Sequence, residues 1–145
     1  MIATRTVLVV DDDEDFVAAI GALLDSSGYR VSSALNGRDG LRLARELLPD
    51  LILLDIIMNE PREGLRVLQE VRATPELCRT PVIVISSLYS DDLEFRVSPD
   101  AGWLPADLFL AKPVDPARLL QEIQRLVDGR PGPPRVPDCI EPDSA

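Results

Sequence analysis

The chain has 145 residues with 15 basic and 25 acidic side chains, a net charge of −10, and 46% hydrophobic residues. That length fits one domain able to bury a proper core, and the apolar content is too high for a disordered chain. Histidine is absent, which excludes Ser-His-Asp and Cys-His triads, His-ligated metals and a phosphohistidine intermediate, and leaves carboxylates, hydroxyls, lysine and bound ions to carry any chemistry.

In chain order, a short polar opening precedes the first apolar run, so no signal peptide is expected. Val7-Leu8-Val9-Val10 is a β-branched run ending at Asp11. Residues 13–27 follow with Phe16, Ile20, Leu23 and Leu24 on one helical stripe, Asp13 as the cap and Gly28 as the closing residue. A weaker strand is expected over 30–35. Asn36 with Asp39 caps a helix over 37–48 that stops at Pro49. Leu51-Ile52-Leu53-Leu54 is the third strand, ending at Asp55, and a helix over 64–73 carries Leu65, Leu68 and Val71.

Val82-Ile83-Val84-Ile85 is the fourth strand, ending at Ser86 and Ser87. Residues 88–105 lack periodicity, and only a short helix near 91–96 is expected there before a loop. A weak strand over 108–111 leads to Lys112. Asp115-Pro116 then opens a helix through Leu119, Leu120, Ile123 and Val127, closed by Gly129. The organisation expected is one domain over 1–129 and a flexible, proline-rich tail over 130–145.

Apolar runs that are continuous rather than alternating belong to strands covered on both faces. Strand–helix alternation with short joints gives right-handed βαβ units. The fold class predicted is α/β, a flavodoxin-like three-layer sandwich with a five-stranded parallel sheet in the order 2-1-3-4-5. No apolar run approaches the ~20 residues of a membrane helix. A soluble, cytoplasmic protein is therefore expected, with no membrane partner. A pI near 4.4 argues against nucleic acid as a partner. Cys78 and Cys139 show no metal spacing and read as free thiols.

Ligands of open α/β sheets bind at the carboxyl ends of the strands. The residues after each run are Asp11, Asp12 and Asp13, then Asp55, then Ser86 and Ser87, then Lys112. Crowded carboxylates repel unless a cation intervenes, and a hard, oxygen-seeking ion such as Mg²⁺ suits them. An aspartate beside such an ion and a lysine is able to act as nucleophile toward a phosphoryl group.

With these motifs in order on successive strands, the chain resembles the receiver domain of two-component response regulators over residues 4–129. The resemblance rests on Val7-Leu-Val-Val-Asp-Asp-Asp13, Asp50-Leu-Ile-Leu-Leu-Asp55, Pro81-Val-Ile-Val-Ile-Ser86-Ser87 and Ala111-Lys112-Pro113. It implies a phosphoacceptor signalling domain rather than an enzyme in the ordinary sense, one that promotes its own phosphoryl transfer and dephosphorylation. Asp55 would be the phosphoacceptor, and Asp11, Asp12, Asp55 and the backbone carbonyl of Ile57 would hold Mg²⁺. Ser86 would bond the phosphoryl oxygens, Lys112 would pair with the phosphate, and Phe109 would be the switch aromatic that turns inward as Ser86 moves. Lys112–Pro113 would be a cis peptide.

The implied phosphodonor is a sensor histidine kinase or a phosphotransfer protein. Output would run through protein contact or onward phosphorelay, with an unnamed downstream protein at the 88–111 surface. Only 16 residues follow Gly129, so a stand-alone receiver is expected, and a dimer linked to phosphorylation is left open.

The chain departs from the family pattern in three places: Met58 is followed by Asn59 rather than proline, the glycine opening the third helix comes one residue late, and the stretch from Ser86 to Lys112 is longer than usual. Ile57 offers no polar group to an attacking water, which predicts slow loss of phosphate. Taken one at a time, the same residues have plainer readings. Asp13 is a helix cap, Ser86 a turn residue, Lys112 a surface cation and Phe109 a core residue. Two other functions fit part of the pattern: a phosphorylation-independent binding module of the same fold, and a haloacid-dehalogenase-like phosphatase with Asp11 as nucleophile and Asp13 as acid. The second leaves Asp55 without a role.

Overall fold

A computed structural model describes residues 4–56, 63–86 and 106–128. Within them lie five strands, β1 (Thr6–Val10), β2 (Arg30–Ala34), β3 (Leu51–Asp55), β4 (Val82–Ser86) and β5 (Leu108–Ala111), and four helices, α1 (Glu14–Ser26), α2 (Gly37–Leu47), α3 (Glu63–Ala73) and α4 (Pro116–Asp128). The strands form one parallel sheet in the order β2-β1-β3-β4-β5, as the alternation predicts. The short helix expected near 91–96 and the tail over 130–145 lie outside the described residues.

The continuous apolar runs are explained by the two cores. Leu8, Val10, Ile52, Leu54, Val82 and Val84 pack on one side of the sheet against α2 and α3. Their neighbours Val7, Val9, Leu51, Leu53, Ile83 and Ile85 pack on the other side against α1 and α4. Successive side chains of a strand point to opposite faces, so a sheet with helices on both faces needs apolar residues at every position.

Local signals set the helix ends. Asp13 caps α1, its carboxylate accepting from the N–H groups of Asp15 and Phe16, and Gly28 follows at φ +96°. Asn36 caps α2 by accepting from Asp39 N–H. Leu48 ends α2 in the left-handed region, a cost that no glycine relieves. Asp115 accepts from Ala117 N–H at 3.2 Å at the start of α4.

One expectation is corrected here. Cys78 is buried and disulfide-bonded rather than a free thiol. Spacing along the chain carries no information on which sulfurs meet in space, and the other cysteine, Cys139, lies outside the described residues.

Candidate functional site

Two aspartates bracket β3, and the fold gives them opposite tasks. Asp50, at the start of the strand and partly exposed, ties β3 to β1. Its carboxylate accepts from Thr6 N–H at 2.8 Å and its own N–H donates to the Thr6 carbonyl at 2.8 Å. Asp55, at the other end, is buried at 5% exposure. Parallel pairing carries every strand toward the same edge, so Asp55 arrives beside Asp11, which directly follows β1 and is 1% exposed.

Burying carboxylates is costly unless something offsets their charge. Here Lys112, directly after β5, reaches across. Its Nζ lies 2.8 Å from Asp11 Oδ2 and 3.4 Å from Asp55 Oδ2. Burial alone would lower the Lys112 pKa, but contact with Asp11 and the charges of Asp55 and Asp11 outweigh it and hold the ammonium above its usual 10.5. The approach to Asp11 is a charge contact without hydrogen-bond alignment, because Asp11 Oδ2 is buried and no donor among the described residues meets its lone pairs in good geometry. Asp11 Oδ1, by contrast, accepts from Asp13 N–H at 2.9 Å.

Asp12 completes the cluster. One carboxylate oxygen each from Asp11, Asp12 and Asp55 lie within 4.8 Å of one another. Three hard oxygen donors at that spacing suit a small divalent cation that keeps some of its waters, and Asp11 also carries a buried oxygen lacking a hydrogen-bond donor. The donor set therefore fits Mg²⁺.

Of the other residues singled out in the sequence, Ser86 closes β4 in register with Ala111, the residue before Lys112. Phe109 is partly buried and packs with the core between the sheet and the α2–α3 layer. Ile57 lies outside the described residues. The Lys112–Pro113 peptide is cis. Asp13 is spent on the α1 cap and is exposed, which leaves it unsuited to act as the acid of a phosphatase centred on Asp11.

Two residues of the site carry no chemical signal in the sequence. Glu63, at the start of α3, accepts from Gly37 N–H, the first residue of α2, and so locks the two helix starts together. Gly64 then packs directly on the end of β3. A Cβ there would lie under 3.0 Å from the Asp55 carbonyl oxygen and from Ile56 Cα and O. Gly64→Ala is therefore expected to push β3's end or α3 aside, costing about 1–3 kcal/mol in stability. A displacement of the reacting oxygen by even 1 Å is expected to slow chemistry at Asp55 by about 10²-fold. Thermal melts and the rate of labelling by acetyl phosphate check this. Gly21→Ala is the control, since its new Cβ would meet only Val31 Cγ1, at 3.9 Å.

Comparison with known proteins adds the following. The family model for the response regulator receiver domain matches residues 7–124. The chain is 31% identical to the protein PilH of Pseudomonas aeruginosa over 126 residues, covering 85% of this chain and 98% of PilH. It is 35% identical to the transcriptional regulatory protein AfsQ1 of Streptomyces coelicolor over 109 residues, covering 75% of this chain but 45% of AfsQ1, so it spans about half the length of that regulator. Among solved structures, the chemotaxis protein CheY4 of Vibrio cholerae superimposes with a TM-score of 0.74 at 28% identity, over 85% of this chain and 98% of CheY4. Among the described residues, no helix is long and apolar enough to cross a membrane.

Proposed function

The chain belongs to the response regulator receiver domain family, and from that premise we propose that it accepts a phosphoryl group on Asp55 with Mg²⁺ bound by Asp11, Asp12, Asp55 and the Ile57 carbonyl. Receiver domains are signalling domains that work with histidine kinases and phosphotransfer proteins, and they bind Mg²⁺ at an acidic pocket. The observation that carries the proposal is the buried meeting of Asp11, Asp55 and Lys112 at one sheet edge.

In the proposed step, an Asp55 carboxylate oxygen attacks phosphorus and the bond from phosphorus to the donor's leaving atom breaks, with the electron pair departing on that atom. Bound Mg²⁺ supplies charge neutralisation for the phosphoryl oxygens. Lys112 exchanges its 3.4 Å contact with Asp55 Oδ2 for a phosphoryl oxygen, and the Ser86 hydroxyl donates to another. Before the cation binds, Asp11 Oδ2 holds the ammonium at 2.8 Å.

Phosphorylation would replace the single charge of the Asp55 carboxylate with an acyl phosphate of up to about −2 beside Lys112, enough to bias a two-state arrangement of nearby segments. Phe109 on β5 is the proposed follower of that change. Output is proposed to pass through a protein contact at 88–111, of which 88–105 lies outside the described residues. The domain is proposed to span 1–129, and it is further proposed to lose its phosphoryl group slowly, because Ile57 cannot orient a water.

Incubation with acetyl phosphate tests the central step by intact mass. A phosphoryl adduct that forms with Mg²⁺, fails with EDTA and maps to the peptide holding Asp55 is the expected result. An adduct mapping elsewhere, or none in folded protein with Mg²⁺ bound, overturns the proposal.

A further inference from the structure

Lys112 is the only lysine among the chain's 15 basic residues. Every other cation is an arginine, so the charge at this position comes from the one residue with a flexible stem and a compact ammonium. The stem starts at the end of β5, the edge strand, and must cross β4 to reach the ends of β3 and β1. Its ammonium meets two carboxylates there, as already described, and a third partner that carries no charge. The ring of Phe16 lies beneath it, with Nζ 4.2 Å from the centroid.

Phe16 is set for this contact by the start of its own helix. Asp13 accepts from its backbone N–H, which fixes the first turn of α1 next to the carboxylate edge. The ring packs against the core between the sheet and the α1–α4 layer, so it presents a held face rather than a free one. A cation over an aromatic face is attracted by the ring's quadrupole, and the attraction grows as water is removed. The Lys112 side chain is only 13% exposed.

The three partners differ in what the reaction does to them. Asp11 and Asp55 both belong to the acidic cluster, and in the proposed function each has its negative charge shared with a bound cation or converted to an acyl phosphate. Phe16 is the partner whose attraction is not spent in either event. We propose that Phe16 is a positioning residue for phosphoryl transfer, its ring face keeping the Lys112 ammonium over the sheet edge while Asp11 and Asp55 are engaged elsewhere. This rests on the phosphoacceptor reading of Asp55 given above.

The test uses the full chain in three variants: Phe16→Leu, which keeps apolar bulk and removes the ring, and Phe16→Tyr and Phe16→Trp, which keep a ring. Labelling by acetyl phosphate at saturating Mg²⁺ is expected to slow about fivefold in Phe16→Leu and to stay within about twofold of wild type in Phe16→Tyr and Phe16→Trp. A second readout needs neither metal nor phosphodonor. With ¹³C-lysine labelling, the single lysine gives one ε-CH₂ signal, expected upfield from the ring current in wild type, Phe16→Tyr and Phe16→Trp, and near its free-lysine position in Phe16→Leu.

A Phe16→Leu variant that labels at the wild-type rate, ring-bearing variants that slow as much as Phe16→Leu, or an ε-CH₂ signal indifferent to the ring would each overturn the positioning role. Wild type that forms no adduct at all, while the ε-CH₂ signal follows the ring, would sink the phosphoacceptor reading and this role with it, but leave the contact itself established.

Discussion

Replacing Asp55 with Asn is expected to abolish the Mg²⁺-dependent adduct formed with acetyl phosphate, while leaving the protein folded. The first half follows from chemistry. An amide has no anionic oxygen to attack phosphorus, and Asp11, the other buried carboxylate, is held by Lys112 at 2.8 Å and by Asp13 N–H at 2.9 Å. The second half follows from electrostatics. Among the described residues, the edge gathers three carboxylates against one ammonium, so removing one negative charge relieves repulsion rather than orphaning a cation, because Lys112 keeps Asp11. The melting temperature is expected to hold or rise. Mg²⁺ affinity is expected to fall as one anionic donor is lost. An adduct that persists in Asp55→Asn and disappears in Asp11→Asn would restore the phosphatase reading in spite of the capped Asp13.

The largest effect on stability is expected at the opposite end of the sheet, with Arg72→Ala. Arg72 lies in the last turn of α3 and is nearly buried with Asp107, at 11% and 10% side-chain exposure. Its Nη1 donates to the carbonyls of Cys78 at 3.1 Å and Thr80 at 2.6 Å, and its Nη2 to Asp107 Oδ2 at 3.0 Å. That same Oδ2 accepts from Val82 N–H at 2.8 Å, and Asp107 N–H donates to the Val82 carbonyl at 2.9 Å. One guanidinium thus joins the α3–β4 connection to the residue just before β5.

Removing one partner of a nearly buried, hydrogen-bonded pair is costly, and about 3–5 kcal/mol is the expected loss. Against a typical total of about 5–15 kcal/mol, this would leave a marginal fold. Urea unfolding reads it directly. Arg72→Lys is expected to recover little, because one ammonium cannot present the planar fork that meets three acceptors. A loss below about 1 kcal/mol would show that water reaches the pair and screens it as at a surface. Since Arg72 lies at the end of the sheet away from Asp55, whatever folded Arg72→Ala remains is expected to be labelled by acetyl phosphate as wild type is.

These two sites differ in how far they can be read from the chain. Asp55 announces itself, because a charge that closes a run such as Leu51-Ile52-Leu53-Leu54 must either be paired or perform chemistry. Arg72 and Asp107 stand 35 positions apart in segments of ordinary polarity, and no local pattern marks them. The same holds for Glu63 and Gly37, 26 apart. Gly64 alone left a trace, as the glycine one residue out of place at the start of a helix. The disulfide at Cys78 was misread, since thiol spacing is silent on approach in space.

The sequence by itself determined the strands, the two-sided burial and the set of residues that follow the strands, and the sheet order matched the common doubly wound arrangement of such units. Each of these depends on local periodicity, on caps such as Asp13 and Asn36, and on the handedness of βαβ units, all of which are written within a few adjacent residues. Only the tertiary structure decided that Lys112 leans closer to Asp11 than to Asp55, that Phe16 lies under its ammonium, and that Arg72 fastens β4 to β5. Those are choices among partners brought together by chain segments distant in sequence. They turn on differences of about 1 Å, which side-chain packing sets and residue order does not encode.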